Sequence, residues 1–291
     1  MKNILALLVI TSLISCNKDN EKADGYGNFE ATEVTISAEA NGKLLSFNVE
    51  EGNQLEANAT IGIIDTTQLY LSKLQLLASK KTIASKSENV LSQNSILQEQ
   101  LKTILIEQKR IKNMFAENAA TQRQLDEING KVNVLKQQIN SVSTQNTPIT
   151  NEAKSIDAQV AKINDQIQKS YIINPIKGIV LAKYAEPNEI TTFGKPLYKI
   201  ADISEMTLRV YVSETQLPQI KMGQKVSVKI DNGNEMKDYE GTVSWISPSA
   251  EFTPKVIQTK EERVNLVYAV KVKVKNDGAL KIGMPAEMWM N

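Results

Sequence analysis

The sequence contains no histidine. That absence removes imidazole acid–base and nucleophilic chemistry, and most transition-metal ligation with it. An excess of either charge is missing too: 34 Lys and Arg stand against 33 Asp and Glu, for a net charge of +1. Chains that live on nucleic acid carry a basic excess or stripe, so no nucleic-acid partner is expected. Long hydrophobic runs are also absent. The one apolar run, Ile4 to Ile14, is too short for a bilayer core of about 30 Å. Cysteine occurs once, at Cys16. Its setting, Met1-Lys2-Asn3 before the apolar run and Leu13-Ile14-Ser15-Cys16 after it, fits an export signal ending in a bacterial lipoprotein cleavage box. Residues 1–15 read as the removed signal and Cys16 as the lipidated N-terminus, a stable membrane anchor. An ordinary signal peptide with a chance cysteine is the alternative.

What is abundant is heptad periodicity. Leu69, Leu76, Ile83, Val90, Leu97, Ile104 and Ile111 fall every seventh residue. Leu74, Leu77, Leu91, Leu101 and Leu105 offer looser support, so this outgoing arm has a thin seam. A returning arm holds two interleaved columns. One is Leu125, Val132, Ile139, Asn146, Ala153, Val160 and Ile167; the other is Ile128, Leu135, Val142, Ile149, Ile156 and Ile163. Sustained 3.5-residue spacing means helices wrapped on a partner helix. About fifty residues per arm predicts an antiparallel hairpin roughly 75 Å long over 67–170. Asp65-Thr66-Thr67-Gln68 supplies capping oxygens at its start, Ala116 to Ala120 breaks the pattern at the tip, and Thr121 with Gln124 forms a capping box. Pro148 interrupts the ladder while the columns keep their phase, which predicts a kink or short break around Asn146–Pro148 with both halves in register.

The flanks follow strand grammar. Residues 16–29, with Gly25 and Gly27, read as a flexible tether. Residues 30–66 and 171–203 read as two copies of one strand motif at an offset of 136. Gly42 matches Gly178, Asn58 matches Gly194, Ile61 matches Leu197 and Ile64 matches Ile200, with Glu51-Gly52-Asn53 and Pro187-Asn188-Glu189 at equivalent turns. The two halves are expected to pair into one small β-domain at the hairpin base. From 204 to 291 the alternation of Leu208, Val210 and Val212, of Val226, Val228 and Ile230, and of Val270, Val272 and Val274 predicts a small β-barrel. Lys271, Lys273 and Lys275 form the other face of the strand that carries Val270, Val272 and Val274, either a solvated face or a basic docking surface.

This order resembles the HlyD-type membrane fusion proteins, or periplasmic adaptors. The resemblance is carried by Gly194-Lys-Pro-Leu-Tyr-Lys-Ile-Ala-Asp202, Arg209-Val-Tyr-Val-Ser-Glu214, Met222-Gly-Gln-Lys-Val226 and Lys281-Ile-Gly-Met-Pro-Ala286. It implies an α+β fold: a long antiparallel coiled-coil hairpin inserted in a lipoyl-like barrel-sandwich hybrid, followed by a small β-barrel domain. It also implies partners, namely an inner-membrane exporter, a TolC-like outer-membrane channel and further copies of the chain, with the anchored protein in the periplasm. Spacings that accompany channel docking in the family fall on Arg110, Met114 and Thr121. These residues are equally read as a solvated coil residue, seam packing and a helix cap. The stretch Ser247 to Arg263, with Glu251, Phe252, Lys255, Lys260 and Arg263 as pump-contact candidates, looks like the branch found beside ABC exporters, or like a plain barrel loop.

Two other function classes compete with a non-enzymatic adaptor. A lipoyl or biotinyl carrier subunit shares the half-motif fold, but it presents a modified Lys on a tight turn where this chain has a hundred residues of coiled coil. A structural envelope lipoprotein needs the heptads yet has no use for a paired half-motif and a barrel. No cofactor is expected.

Overall fold

The computed structural model describes residues 22–233, 235–252 and 266–290. Cys16, Lys255, Lys260 and Arg263 lie outside the described residues. Heptad repeats give three helices: α1 (Thr67–Ala116), α2 (Gln122–Thr144) and α3 (Asn146–Lys169). Helices α2 and α3 pack in succession against α1 as the returning arm. All thirteen column positions of that arm, twelve apolar residues and Asn146, are buried or half-buried. The arm breaks at Gln145, whose N–H donates to Val142 O three residues back at 3.1 Å. Pro148 is the cause, because it has no N–H for the Thr144 carbonyl and its ring crowds that turn. Both Val142 and Ile156 remain buried, so the register passes through the break.

The outgoing arm departs from expectation. Leu74, Leu77, Leu91 and Leu105 are exposed; only Leu101 of the supporting set lies in the seam. The second seam column is instead Lys73, Lys80, Ser87, Asn94, Leu101, Gln108 and Phe115, each half-buried. Three of the five polar members are met by polar partners across the hairpin. Lys80 pairs with Asp157, Ser87 Oγ donates to Asn146 Oδ1 at 2.6 Å, and Gln108 Nε2 donates to Asn129 Oδ1 at 2.8 Å. Counting apolar residues picked neighbouring leucines because a seam position is defined by geometry, and polar residues that find partners can occupy it.

Eight short strands make the domain at the hairpin base. The first half holds β2 (Glu33–Ser37), β3 (Gly42–Phe47), β4 (Gln54–Leu55) and β5 (Thr60–Ile64). The second holds β6 (Tyr171–Ile173), β7 (Gly178–Lys183), β8 (Ile190–Thr191) and β9 (Pro196–Ala201). The 136-residue offset carries β3 onto β7 and β4 onto β8 end to end. It also carries the left-handed residues Gly52 onto Asn188 and Asn58 onto Gly194. The two sheets run β2-β9-β7-β4 and β6-β5-β3-β8, so each takes two strands from each half and the repeat relates one sheet to the other. Neither half closes a sheet alone. Leu44, Ile64, Leu197, Tyr198 and Ile200 fill the space between them. Burial pushes the Tyr198 phenol up, and the protonated hydroxyl donates to buried Asn174 Oδ1 at 2.9 Å. The hairpin joins this sandwich through the Ile64 N–H to Ser170 O bond at 2.8 Å, which ties the two arms together at their root.

The remaining strands form a barrel: β1 (Gly25–Glu30), β10 (Glu205–Ser213), β11 (Lys225–Asn232), β12 (Glu235–Ile246), β13 (Glu251–Phe252), β14 (Leu266–Lys275) and β15 (Pro285–Met290). Their order is β10-β1-β15-β11-β12-β14-β13, and β10 also pairs with β14, which closes a six-stranded ring with β13 appended. The alternating residues Leu208, Val210, Val212, Val226, Val228, Ile230, Val270, Val272 and Val274 all point inward and are buried. The tether expected over 16–29 is corrected at its C-terminal end, since Gly25 to Glu30 is a full barrel strand between β10 and β15, while residues 16–21 lie outside the described residues. Gly27 is there for close approach rather than flexibility: a Cβ on it would come within 1.8 Å of the Arg209 carbonyl oxygen. Asp24 reinforces the joint, its Oδ2 accepting from Met290 N–H at 2.7 Å.

Candidate functional site

Among the described residues no group of three or more Cys, Asp or Glu could hold a metal ion, and no helix is long and apolar enough to cross a membrane. The sites to weigh are the hairpin tip and the outer wall of the barrel.

At the tip, α1 ends through a left-handed Asn118 (φ 57°). The Asn118 N–H donates to Phe115 O at 3.1 Å and the Ala119 N–H to Met114 O at 2.8 Å. These two bonds satisfy carbonyls the helix end would otherwise orphan. The return helix starts at Thr121. Its Oγ1 accepts from Gln124 N–H at 3.3 Å while Gln124 Oε1 accepts from Thr121 N–H at 2.8 Å, a reciprocal capping box. The tip is therefore a five-residue turn over 117–121 with both ends pinned. Of the docking candidates, Arg110 is exposed and pairs with Glu107 at 3.0 Å. Met114 is exposed one turn further on, on the same face. Thr121 Oγ1 is engaged in the cap. All three lie within two turns of the tip, and Thr121 has a structural task whatever else it does.

On the barrel, Glu251 and Phe252 are the two residues of β13, with Phe252 opposite Leu266 of β14. Glu251 is half-buried and accepts from Arg209 Nη2 with both oxygens, at 3.1 and 3.0 Å. Arg209 was not singled out as a site residue, yet it organises this wall. Its guanidinium lies 5.7 Å from the Tyr211 ring centroid and 4.0 Å from Glu30. Burial works against the charge, but Tyr211, Glu251 and Glu30 together hold its proton affinity above the ordinary arginine value. Its Nε is buried without a partner. Beside it Tyr26, Asn28, Tyr211, Lys229 and Glu287 line an open groove across β10, β1, β15 and β11. The Arg209–Glu251 pair anchors the start of the 251–263 stretch to the barrel wall, so Glu251 is committed within the chain. The Lys face of β14 is solvated: Lys273 pairs with Glu205 at 2.7 Å, and Lys271 lies 5.4 Å from the Trp245 ring centroid.

Comparison with known proteins agrees with this architecture. Residues 206–289 match a family model described as a YknX-like β-barrel domain. A UPF0194 membrane protein of Yersinia pseudotuberculosis serotype O:3 is 25% identical over 289 residues, covering 89% of this chain and 87% of that protein. Among solved structures, the membrane fusion protein Spr0693 of Streptococcus pneumoniae R6 aligns with a TM-score of 0.56 at 15% identity, covering 91% of this chain and 97% of that one. MacA of Actinobacillus actinomycetemcomitans aligns with a TM-score of 0.52 at 18% identity, covering 91% and 76%. The structural matches speak to fold; the domain order and the near full-length relatives extend it along the chain. The chain therefore shares the fold of solved membrane fusion and periplasmic adaptor proteins, and its barrel matches the YknX-like model.

Proposed function

We propose that this chain is the non-enzymatic adaptor of a tripartite efflux or secretion system, bridging an ABC-type inner-membrane exporter and a TolC-like outer-membrane channel across the periplasm. One observation carries the reading: a 50-residue helix and its returning partner project from a sandwich in which each sheet is built from both halves of the repeat. A hairpin of roughly 75 Å rooted in such a domain is a spacer held at a fixed angle, suited to spanning a distance. Lipid on Cys16 anchors the base and raises the local concentration of copies and exporter, so weak contacts become effective. The tip, with Arg110 and Met114, is the end that meets the channel. The barrel wall around Arg209 and Glu251 is the end that meets the exporter.

The test is cross-linked affinity purification of the native protein from membranes, with partners identified by mass spectrometry. An ABC permease together with a TolC-like channel is the expected result. A proton-driven pump with that channel would keep the adaptor and overturn the ABC assignment. Recovery of neither, from cells shown to make the protein, would leave a structural envelope lipoprotein.

A further inference from the structure

Three aromatic rings on the outer wall of the barrel each carry a cation of the chain itself. Arg209 lies 5.7 Å from the Tyr211 ring centroid, Lys271 5.4 Å from that of Trp245, and Lys229 4.7 Å from that of Trp289. The negative face of an aromatic ring attracts positive charge, which accounts for the pattern. Tyr26 breaks it. This residue projects from β1 with 55% of its surface exposed. Its cross-strand partners are Tyr211 on one side and Glu287 on the other. Among the described residues no cation lies over its ring.

The groove beside Tyr26 is short of positive charge. Arg209 and Lys229 line it, but both are engaged within the chain. Glu251 takes Arg209 with both oxygens, while Lys229 stands over Trp289 and 3.9 Å from Asp238. Glu30, Asp231 and Glu287 line the same groove. Glu30 comes no nearer than 4.0 Å to Arg209, Glu287 accepts from the uncharged Trp289 Nε1 at 3.2 Å, and Asp231 is exposed. These carboxylates border a space of about 830 Å³ whose lining also includes Tyr26, Tyr211, Met236 and Val267. That volume suits a drug-sized molecule better than a single side chain.

We propose that this groove binds a lipophilic organic cation, seated over Tyr26 and Tyr211, with Glu287, Glu30 and Asp231 balancing its charge. The carbon-rich walls favour apolar groups on the ligand, and the carboxylates and ring faces select for positive charge. Closure of the barrel builds the site, because Tyr26 comes from the first strand while Tyr211 and Glu287 come from the strands on either side of it. Binding of the cation does not depend on the adaptor reading. Under that reading it places a captured cation beside the exporter.

The test is equilibrium dialysis of the full chain in detergent against tetraphenylphosphonium, with uptake by protein-free micelles subtracted. Tetraphenylborate, the same shape with the opposite charge, is the comparison. Saturable binding of the cation below about 1 mM, roughly tenfold or more tighter than that of the anion, is expected. Tyr26→Leu should weaken it about three- to fivefold through loss of the ring face, while Tyr26→Phe, which keeps that face, should not. Glu287→Gln preserves shape and should weaken it about fivefold by removing charge. Equal affinity for cation and anion, or a cation affinity indifferent to both Tyr26→Leu and Glu287→Gln, would overturn the proposal. Absence of saturable binding would also overturn it. If Tyr26→Leu then loses the exporter on co-purification, the groove belongs to a basic side chain of that protein. Cation binding by a chain that recovers neither exporter nor channel would uphold the site and remove the adaptor reading.

Discussion

Asn94 occupies a seam position of α1, and its Oδ1 is buried with no hydrogen-bond partner. The cross-hairpin pairs Gln108–Asn129 and Ser87–Asn146 bracket it, which places Asn94 level with Ile139 and Val142 of α2. A buried acceptor without a partner costs about 1–3 kcal/mol. Asn94→Leu removes that cost and brings apolar surface against Ile139 and Val142. The position is only half-buried, so full side-chain burial of about 1.5–3 kcal/mol has to be discounted. Leucine also forms helix better than asparagine, by a few tenths of a kcal/mol. The expected net gain is about 2 kcal/mol, roughly a 30-fold shift in the unfolding equilibrium of the hairpin. The assay is urea unfolding of the chain followed at 222 nm, where the hairpin dominates the signal, comparing midpoints at unchanged slope. Asn94→Asp serves as the opposite control, because a buried charge deepens the penalty. If Asn94→Leu is neutral or destabilising, the Asn94 carbonyl is satisfied in solution and the reasoning fails. A gain in stability accompanied by a sharp loss of self-association would fit a second role: a polar seam residue sets register at a cost in stability.

Gly27→Ala drives a methyl into the Arg209 carbonyl and should displace β1, costing at least ~2 kcal/mol; hydrogen exchange of the β1 and β15 amides would rise while the 222 nm signal holds. Thr121→Ala should cost about 1 kcal/mol through loss of the cap, read as faster exchange at amides 122–126, and Thr121→Ser should restore protection. Asp277 is held down from 3.8 to about 2, chiefly by the Lys237 ammonium and then by the Ala279 N–H. A lowered carboxylate pKa contributes stability that is fully present above 3.8 and is lost as pH falls through about 2. An NMR titration of the Asp277 carboxyl should give a midpoint near 2, moving up toward 3.8 in Lys237→Met.

The returning arm and the inward faces of the barrel strands were legible because their signal is strictly local. Twelve apolar residues and Asn146 at 3–4 spacing, or alternate valines from Val270 to Val274, can bury one face in only one way. The half-motif repeat was legible for a related reason. Backbone turns with positive φ demand Gly or Asn, so Gly52 with Asn188 and Asn58 with Gly194 survive as a spacing when the other residues diverge. The outgoing arm was harder, because its second seam column is mostly polar. Lys80, Ser87 and Gln108 belong there only on account of Asp157, Asn146 and Asn129, which lie up to 77 residues away.

By itself the sequence determined the hairpin, its tip, the break forced by Pro148, the two-fold use of one strand motif, and the alternation of the barrel. All of these follow from periodicity and from the few residues that tolerate or forbid particular backbone angles. Tertiary structure alone decided what the glycines are for and which leucines are free. Gly27 is small because the Arg209 carbonyl, far off in sequence, runs against it. Leu105 is exposed because the seam turned its flank outward. Glu251 is tied to the barrel because closure of the ring brings Arg209 beneath it. Contacts of this kind depend on where distant segments meet in space, and no local pattern records that.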